Sequence, residues 1–300
     1  MSAKRFLTRR IKKISGPDLQ VTRDYLALEE PLEIQVAFGS ESAREWKTVA
    51  ITMRTPGHDR ELAVGFLAGE GILRSLDQVE AVHMRGARYG EEARQNSVRV
   101  TLRPGVKIDL ARLERNFYTT SSCGICGKTS MEALELNFFP PLPEAKWQID
   151  RQTICALPAL LRQSQAIFEQ TGGLHAAGLF TPDGQPVIVR EDVGRHNAVD
   201  KVIGAQFLAG HGPLSAFLLV VSGRASFELM QKALASGIPM LVAVGAPSSL
   251  AVEVADKFGA TLVGFTNPNG FNIYTGEERI RMDTDGTIVA DAQSVVKETP

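Results

Sequence analysis

Three cysteines in 300 residues are too few for a disulfide framework, which excludes the small secreted scaffold class. Scarce thiols suit a reducing compartment, so a cytoplasmic location is expected, with the thiols reactive or metal-bound rather than structural. Long apolar runs are lacking too. The longest, "AFLLVV" at 216–221, is far short of the ~20 residues a membrane span needs, so neither an anchor nor a membrane partner is expected. Charge of one sign is not in excess: 33 Lys and Arg face 34 Asp and Glu, which leaves a net charge of -1 and no general attraction to nucleic acid. Neither an internal repeat nor a low-complexity tract is present. The Walker phosphate loop and the dinucleotide glycine pattern are both missing, which removes the common nucleotide-binding classes.

What is present reads as a soluble globular chain, with 44% hydrophobic and 22% charged residues and a length that suits two domains. The basic stretch "KRFLTRRIKK", Lys4 to Lys13, is expected to be a solvated, partly frayed tail. "PLEIQVAF" (31–38) and "WKTVAITMRT" (46–55) alternate with period two, as antiparallel strands do, and "VEAVHMRG" (79–86) and "SVRVTLRPG" (97–105) repeat the pattern. Between them "DRELAVGFLAGEGILRS" carries Leu62, Phe66, Leu67 and Ile72 on a helical stripe, with Asp59 as its expected N-cap. This predicts a small α+β domain with an antiparallel sheet over 18–117. A cysteine loop and linker follow over 118–148, and then a second domain over 149–300.

The second domain has a different rhythm. "ICALPALLRQSQAIFEQTGG" predicts one helix ending at Gly172, and "LHAAGLF" and "PVIVRED" flank the turn signal "PDG" as a hairpin does. Thereafter helices alternate with the strands "FLLVVSG", "MLVAVG" and "TLVGFT". Continuous apolar runs suit strands buried on both faces, so an α/β domain with a mostly parallel sheet flanked by helices is expected. In such a sheet ligands collect at the carboxyl ends of the strands. Three segments there carry suitable residues: Ser222, Gly223, Arg224 and Ser226; Gly245, Ser248 and Ser249; and Glu191, Asp192, Gly194, Arg195, His196 and Asn197. Free N–H groups at helix starts favour an anion, so their convergence would suit a phosphate-bearing ligand. Taken singly, each is an ordinary turn or cap segment. His175 and His196 could orient a ligand or hold a proton near neutral pH, or be hydrogen-bonded structural residues. Cys155, inside an apolar helical run, reads as an inert core residue.

Cys123 and Cys126 stand in "TTSSCGICGKTS" (119–130), among small polar residues that could not build a core. A zinc site needs two more ligands; no second cysteine pair exists, and His175 and His196 could complete one only by distant convergence. A thioredoxin-like couple should open a helix after a strand, which "TTSS" does not suggest. A zinc deaminase needs H-x-E upstream of P-C-x-x-C, whereas here the cysteines come first and "HAA" lacks the glutamate. A covalent carrier fits the glycine-rich setting, with Lys128 favouring the thiolate, and sulfane sulfur suits transfer by thiolate attack on sulfur.

Taken together, "ELAVGFLAGEGI", "SSCGICGK", "GGLHAAGLF", "REDVGRHNAVDKVIG", "SGRASFELMQKALASGIPML" and "TLVGFTNPNGFNIYTGEERI" resemble the formate dehydrogenase accessory sulfurtransferase (FdhD) family, in order, from about 20 to 282. The resemblance implies a cytoplasmic sulfurtransferase that is a homodimer with a cytidine deaminase-like second domain. It implies that a cysteine desulfurase loads sulfur as a persulfide on Cys123, with Cys126 as its partner. The sulfur then passes to a bis(molybdopterin guanine dinucleotide) molybdenum cofactor destined for formate dehydrogenase. By the same resemblance the cofactor-binding stretch falls on Phe265, Thr266, Asn267, Pro268, Asn269 and Gly270, with Asn267 standing where the pattern places arginine. Ser222 and Arg224 are added as phosphate contacts from the strand-end argument. No zinc is expected. A molybdenum cofactor-binding chaperone without sulfur transfer is the alternative.

Overall fold

The computed structural model describes residues 5–86, 96–106, 108, 142 and 147–282, and the structural statements below concern those residues. The chain opens with a β-hairpin: β1 (Phe6–Ser15) pairs antiparallel with β2 (Asp18–Ala27) over ten residue pairs. Gly16, at φ +58, supplies the left-handed position of its tight turn. The basic stretch expected to fray is therefore a strand. Its root is tied down by Leu28 N–H donating to Arg5 C=O and by Arg5 reaching the His58 ring at 2.7 Å.

β3 (Glu30–Ser40) and β4 (Ala43–Arg54) form the next hairpin, followed by α1 (Asp59–Gly69), β5 (Val79–Arg85) and β6 (Ser97–Leu102). The sheet order is β4-β3-β6-β5, and β3 pairs with β6 in parallel. The expected all-antiparallel sheet is thus mixed. β3 and β4 pair antiparallel across a short turn and β5 and β6 pair antiparallel as well, but α1 carries the chain across the sheet before the second pair arrives. That crossover brings β6 alongside β3 in the same direction. Leu32, Ile34, Val36, Val98 and Val100 close against Leu62 and Leu67 of α1. His58, at φ 60, occupies the cap position expected for Asp59, and Asp59 opens the helix with its carboxylate held by Arg54 at 2.9 Å.

The C-terminal half continues with β7 (Ile149–Asp150), α2 (Arg151–Gln163), α3 (Ala166–Thr171), β8 (His175–Phe180), β9 (Pro186–Asp192) and α4 (Arg195–Leu208). Then come β10 (Leu218–Val221), α5 (Phe227–Ala235), β11 (Met240–Ala243), α6 (Ser249–Lys257), β12 (Thr261–Asn267), β13 (Gly270–Thr275) and β14 (Ile280–Arg281). The six-stranded sheet runs β13-β12-β11-β10-β8-β9. β10, β11 and β12 are parallel, as their apolar runs and helical crossovers predict. The other three pairings are antiparallel, so the sheet is mixed rather than mostly parallel. The tight turns after β8 and β12 fold β9 and β13 back beside them.

Side chains on the central strands alternate. Leu219, Val221, Leu241 and Leu262 face α4, α5 and α6, while Leu218, Val220, Val242 and Val263 face Ile154, Leu157 and Leu161 of α2. The single helix expected to end at Gly172 is two helices, α2 and α3. Ile167 and Phe168 N–H, at the start of α3, donate to the Glu191 carboxylate, which makes a new helix start there. The two halves meet along α1 and α4. A Cβ on Gly65 would collide with the Asp200 carbonyl and one on Gly204 with the Glu61 carbonyl, so these helices touch backbone to backbone. Beneath them Lys232 pairs with Asp200 at 2.8 Å and with Glu70 at 3.4 Å.

Candidate functional site

The carboxyl ends of β10, β11 and β12 form one edge, and their loops are laced together there. Gly245 N–H donates to Gly223 C=O, Ala225 N–H to Ala246 C=O, and Phe265 N–H to Gly245 C=O. Gly245 is needed because a Cβ would press on the Arg224 backbone at 3.1 Å. The turns at Ser222–Ser226, Gly245–Ser249 and Phe265–Gly270, expected at the carboxyl ends of the strands, are therefore neighbours. The starts of α5 and α6 open onto this edge, with Ser248 Oγ accepting Ala251 N–H as the α6 cap. Because β8 runs antiparallel to β10, its first residue reaches the same place: the His175 ring lies beside Gly223.

α4 brings Arg195 and His196. His196 Nε2 is 3.3 Å from Ser226 Oγ and 3.8 Å from Glu228 Oε2. The His196 hydrogen bond, with the amide groups at the α5 start, holds the Glu228 carboxyl down at about 2. His175 is pulled below the usual histidine range by burial, and by Arg195 and His196 beside it. A neutral imidazole is the result, able to offer one donor and one acceptor at pH 7.

Two buried polar atoms at this edge lack a partner among the described residues: Arg195 Nε and Thr266 Oγ1. Thr266 is only 1% exposed. Between it and the buried Gly264, Phe265 adopts φ +53 at a bulge in β12, and its ring is 48% exposed. A phenylalanine in the left-handed region is strained, and such strain concentrates at ligand sites. Arg224 is exposed and makes no ion pair among the described residues. Ser222 Oγ accepts Ala176 N–H at 2.9 Å, which leaves its hydroxyl proton and one lone pair to offer. Asn267 shapes its own turn, donating to Phe265 C=O and accepting Asn269 N–H. Pro268 and Asn269 are exposed in that turn and Gly270 is half-buried beyond it.

Other expected ligands are used elsewhere. Glu191 caps α3, as described above. Asp192 is fully buried, accepting from Thr55 N–H, Gly194 N–H and Asn197 Nδ2 and pairing with Lys201. Asn197 also donates to Met53 C=O. "REDVGRHNAVDK" thus divides, with Glu191 spent on α3, Asp192, Asn197 and Lys201 joining the halves, and Arg195 and His196 left at the edge. Thr55, which holds this joint from the N-terminal half, carried no sequence signal. Cys123, Cys126 and Lys128 lie outside the described residues. Cys155 is partly buried on α2. Among the described residues no cluster of His, Cys, Asp and Glu could hold a metal ion, and no helix is long and apolar enough to cross a membrane.

A model described as the FdhD/NarQ family matches residues 27–281. A protein of Streptomyces avermitilis named sulfur carrier protein FdhD is 47% identical over 283 residues, covering 91% of this chain and 95% of its own. One of Mycobacterium tuberculosis with the same name is 47% identical over 277 residues, covering 91% and 97%. Among solved structures, one described as a formate dehydrogenase accessory protein from Desulfotalea psychrophila aligns with a TM-score of 0.67 at 23% identity. It covers 93% of this chain and all of that one, a likeness of fold.

Proposed function

The chain belongs to the FdhD/NarQ family, and from that membership we propose that it is a sulfur carrier serving formate dehydrogenase maturation. Loading is the attack of the Cys123 thiolate on the terminal sulfur of a donor persulfide, as on a cysteine desulfurase. A sulfur–sulfur bond forms at Cys123, the donor's sulfur–sulfur bond breaks, and the donor leaves as a thiolate, with no net redox change. Cys126 acts beside it.

The β10–β12 edge is proposed to hold the acceptor, a bis(molybdopterin guanine dinucleotide) molybdenum cofactor, whose metal supplies the centre that takes sulfur when bound. The observation that carries this reading is the pairing of two orphaned buried polar atoms, Arg195 Nε and Thr266 Oγ1, with two helix starts on one edge. Arg195, Arg224 and the helix N–H groups would take pyrophosphate oxygens. The exposed Phe265 ring offers a face to a base, and the turn from Asn267 to Gly270 borders it. A guanine nucleotide stands for half of such a ligand.

The test is transfer of labelled sulfur from cysteine by a desulfurase, followed by mass spectrometry that maps the added sulfur. Mass added on Cys123 supports the carrier. Tight cofactor binding with no sulfur on either Cys123 or Cys126 supports the chaperone alternative. The same reading includes a homodimer and a cytoplasmic location.

A further inference from the structure

The N-terminal hairpin is not absorbed by the sulfur-carrier reading. In the β1–β2 register, directly opposed residues share a face and alternate residues change face. One face therefore carries Thr8 and Tyr25, Arg10 and Arg23, Lys12 and Val21, and Ile14 and Leu19. Three cations stand on it without an acid. Arg10 and Arg23 are directly opposed, which costs stability in an isolated ribbon. None of the three cations makes an ion pair or side-chain hydrogen bond among the described residues. On the other face Arg9 stands opposite Asp24, so the unbalanced charge belongs to one side.

The aliphatic residues on the cationic face are equally exposed, and Tyr25, packed by Phe6 at the root, is partly so. Ile14 is 74% exposed, Leu19 61%, Val21 55% and Tyr25 45%. Cations along a free strand edge can serve simply to prevent strand pairing. Aliphatic side chains interleaved with them work against that purpose. The root of the ribbon is well held: Phe6 packs edge-on against Tyr25 at 5.5 Å, β2 lies against α3, and Arg5 is bound to His58. The face is thus presented outward on a fixed base.

We propose that this face of the hairpin docks the protein peripherally on an anionic lipid surface. Such an interface accepts both components at once: headgroup phosphates meet Arg10, Lys12 and Arg23, and the acyl boundary takes Ile14, Leu19 and Val21. Tyr25 has the amphipathic ring favoured at that depth. Nucleic acid would answer the cations and leave the aliphatic side chains in water. The expectation of no membrane partner rested on the lack of a spanning segment, and a peripheral contact needs none.

The test is flotation of the full-length protein with vesicles of phosphatidylcholine alone and of an equimolar phosphatidylcholine–phosphatidylglycerol mixture. Three variants are compared with the parent: Arg10→Gln with Lys12→Gln and Arg23→Gln; Ile14→Ser with Leu19→Ser and Val21→Ser; and the distant control Arg103→Gln. Thermal unfolding checks that each remains folded. The parent and the control should float with the anionic vesicles only, and less so as salt rises. The charge variant should lose affinity on the order of a hundredfold, and the apolar variant about tenfold or more. No flotation of the parent, salt-independent flotation, or equal flotation of all variants would overturn the proposal. So would dissociation of a dimer by the apolar variant without lipid binding, which would assign the face to a second copy. Duplex DNA binding lost in the charge variant and kept in the apolar one would assign it to nucleic acid. Sulfur loading of Cys123 is read separately, so failure here and failure of the carrier reading are distinguishable.

Discussion

Lys201 Nζ sits 2.6 Å from Asp192 Oδ2, with the two side chains 1% and 0% exposed. Burial pulls the Lys201 ammonium below its usual range, and Asp192 pulls the other way. The pair lies where the N-terminal half meets the turn that presents Arg195 and His196. It therefore joins the two halves and shapes the candidate site.

Removing one member leaves the other charged and sealed in, which costs about 3–5 kcal/mol. Asp192→Ala is expected to lower the unfolding free energy by that amount in urea denaturation. Because Asp192 also holds Gly194 N–H and Asn197, its loss should weaken nucleotide binding at the edge. A variant as stable as the parent would show that the pair contributes little.

Acid should loosen the joint between α1 and β9. Arg190 Nε and Nη2 reach the two Glu61 oxygens at 2.6 and 3.0 Å. Against burial, hydrogen bonds from His58 and Arg190 lower Glu61 from 4.5 to about 2. The sign follows: a depressed carboxyl adds stability that is complete above 4.5 and lost as pH falls through about 2. Denaturation of the parent and of Glu61→Gln over that range should show their difference shrinking as pH falls. A difference that stays constant would remove Glu61 from the acid response.

At the edge, GDP is expected to bind more tightly than ADP in calorimetry, since the proposed ligand carries guanine. Arg224→Ala should weaken GDP by a few-fold to about a hundredfold, the loss of one charge-assisted contact of roughly 1.5–3 kcal/mol. Arg195→Ala should act in the same direction. Equal affinity for both nucleotides would remove guanine selectivity, and binding of neither would leave the edge without its ligand.

The thiols divide by setting. Cys123→Ala should abolish activation of formate dehydrogenase and Cys126→Ala should impair it, while Cys155→Ala, on α2, leaves it largely intact. Full activity of the Cys123→Ala, Cys126→Ala double variant would sink the carrier mechanism. Stoichiometric zinc that is lost in Cys123→Ala would move the pair to the metal reading.

The sequence by itself was enough for β10, β11 and β12 and for the turns that follow them. Their signals are local: a run of apolar residues, then glycine and serine at a helix start. The β3–β4 and β8–β9 hairpins were legible for the same reason, since a short turn between neighbouring strands leaves one pairing open. The cysteine motif and the ordered set of family segments also lie in the sequence alone. Tertiary structure decided what depends on distant partners. β6 lies parallel to β3 because α1 carries the chain across the sheet. The long helix breaks because Glu191, more than twenty residues further on, supplies acceptors for a second helix start. A basic stretch that reads as a tail becomes a strand because Asp18–Ala27 pairs with it. Within "REDVGRHNAVDK", residue types that look equally suited to a ligand are sorted by burial. Thr55 draws Asp192 and Lys201 inward, Thr52 and Met53 do the same for Asn197, and Arg195 and His196 remain at the edge. A charged or polar side chain takes whichever partner satisfies it, and that partner is named only when the two halves of the chain close on each other.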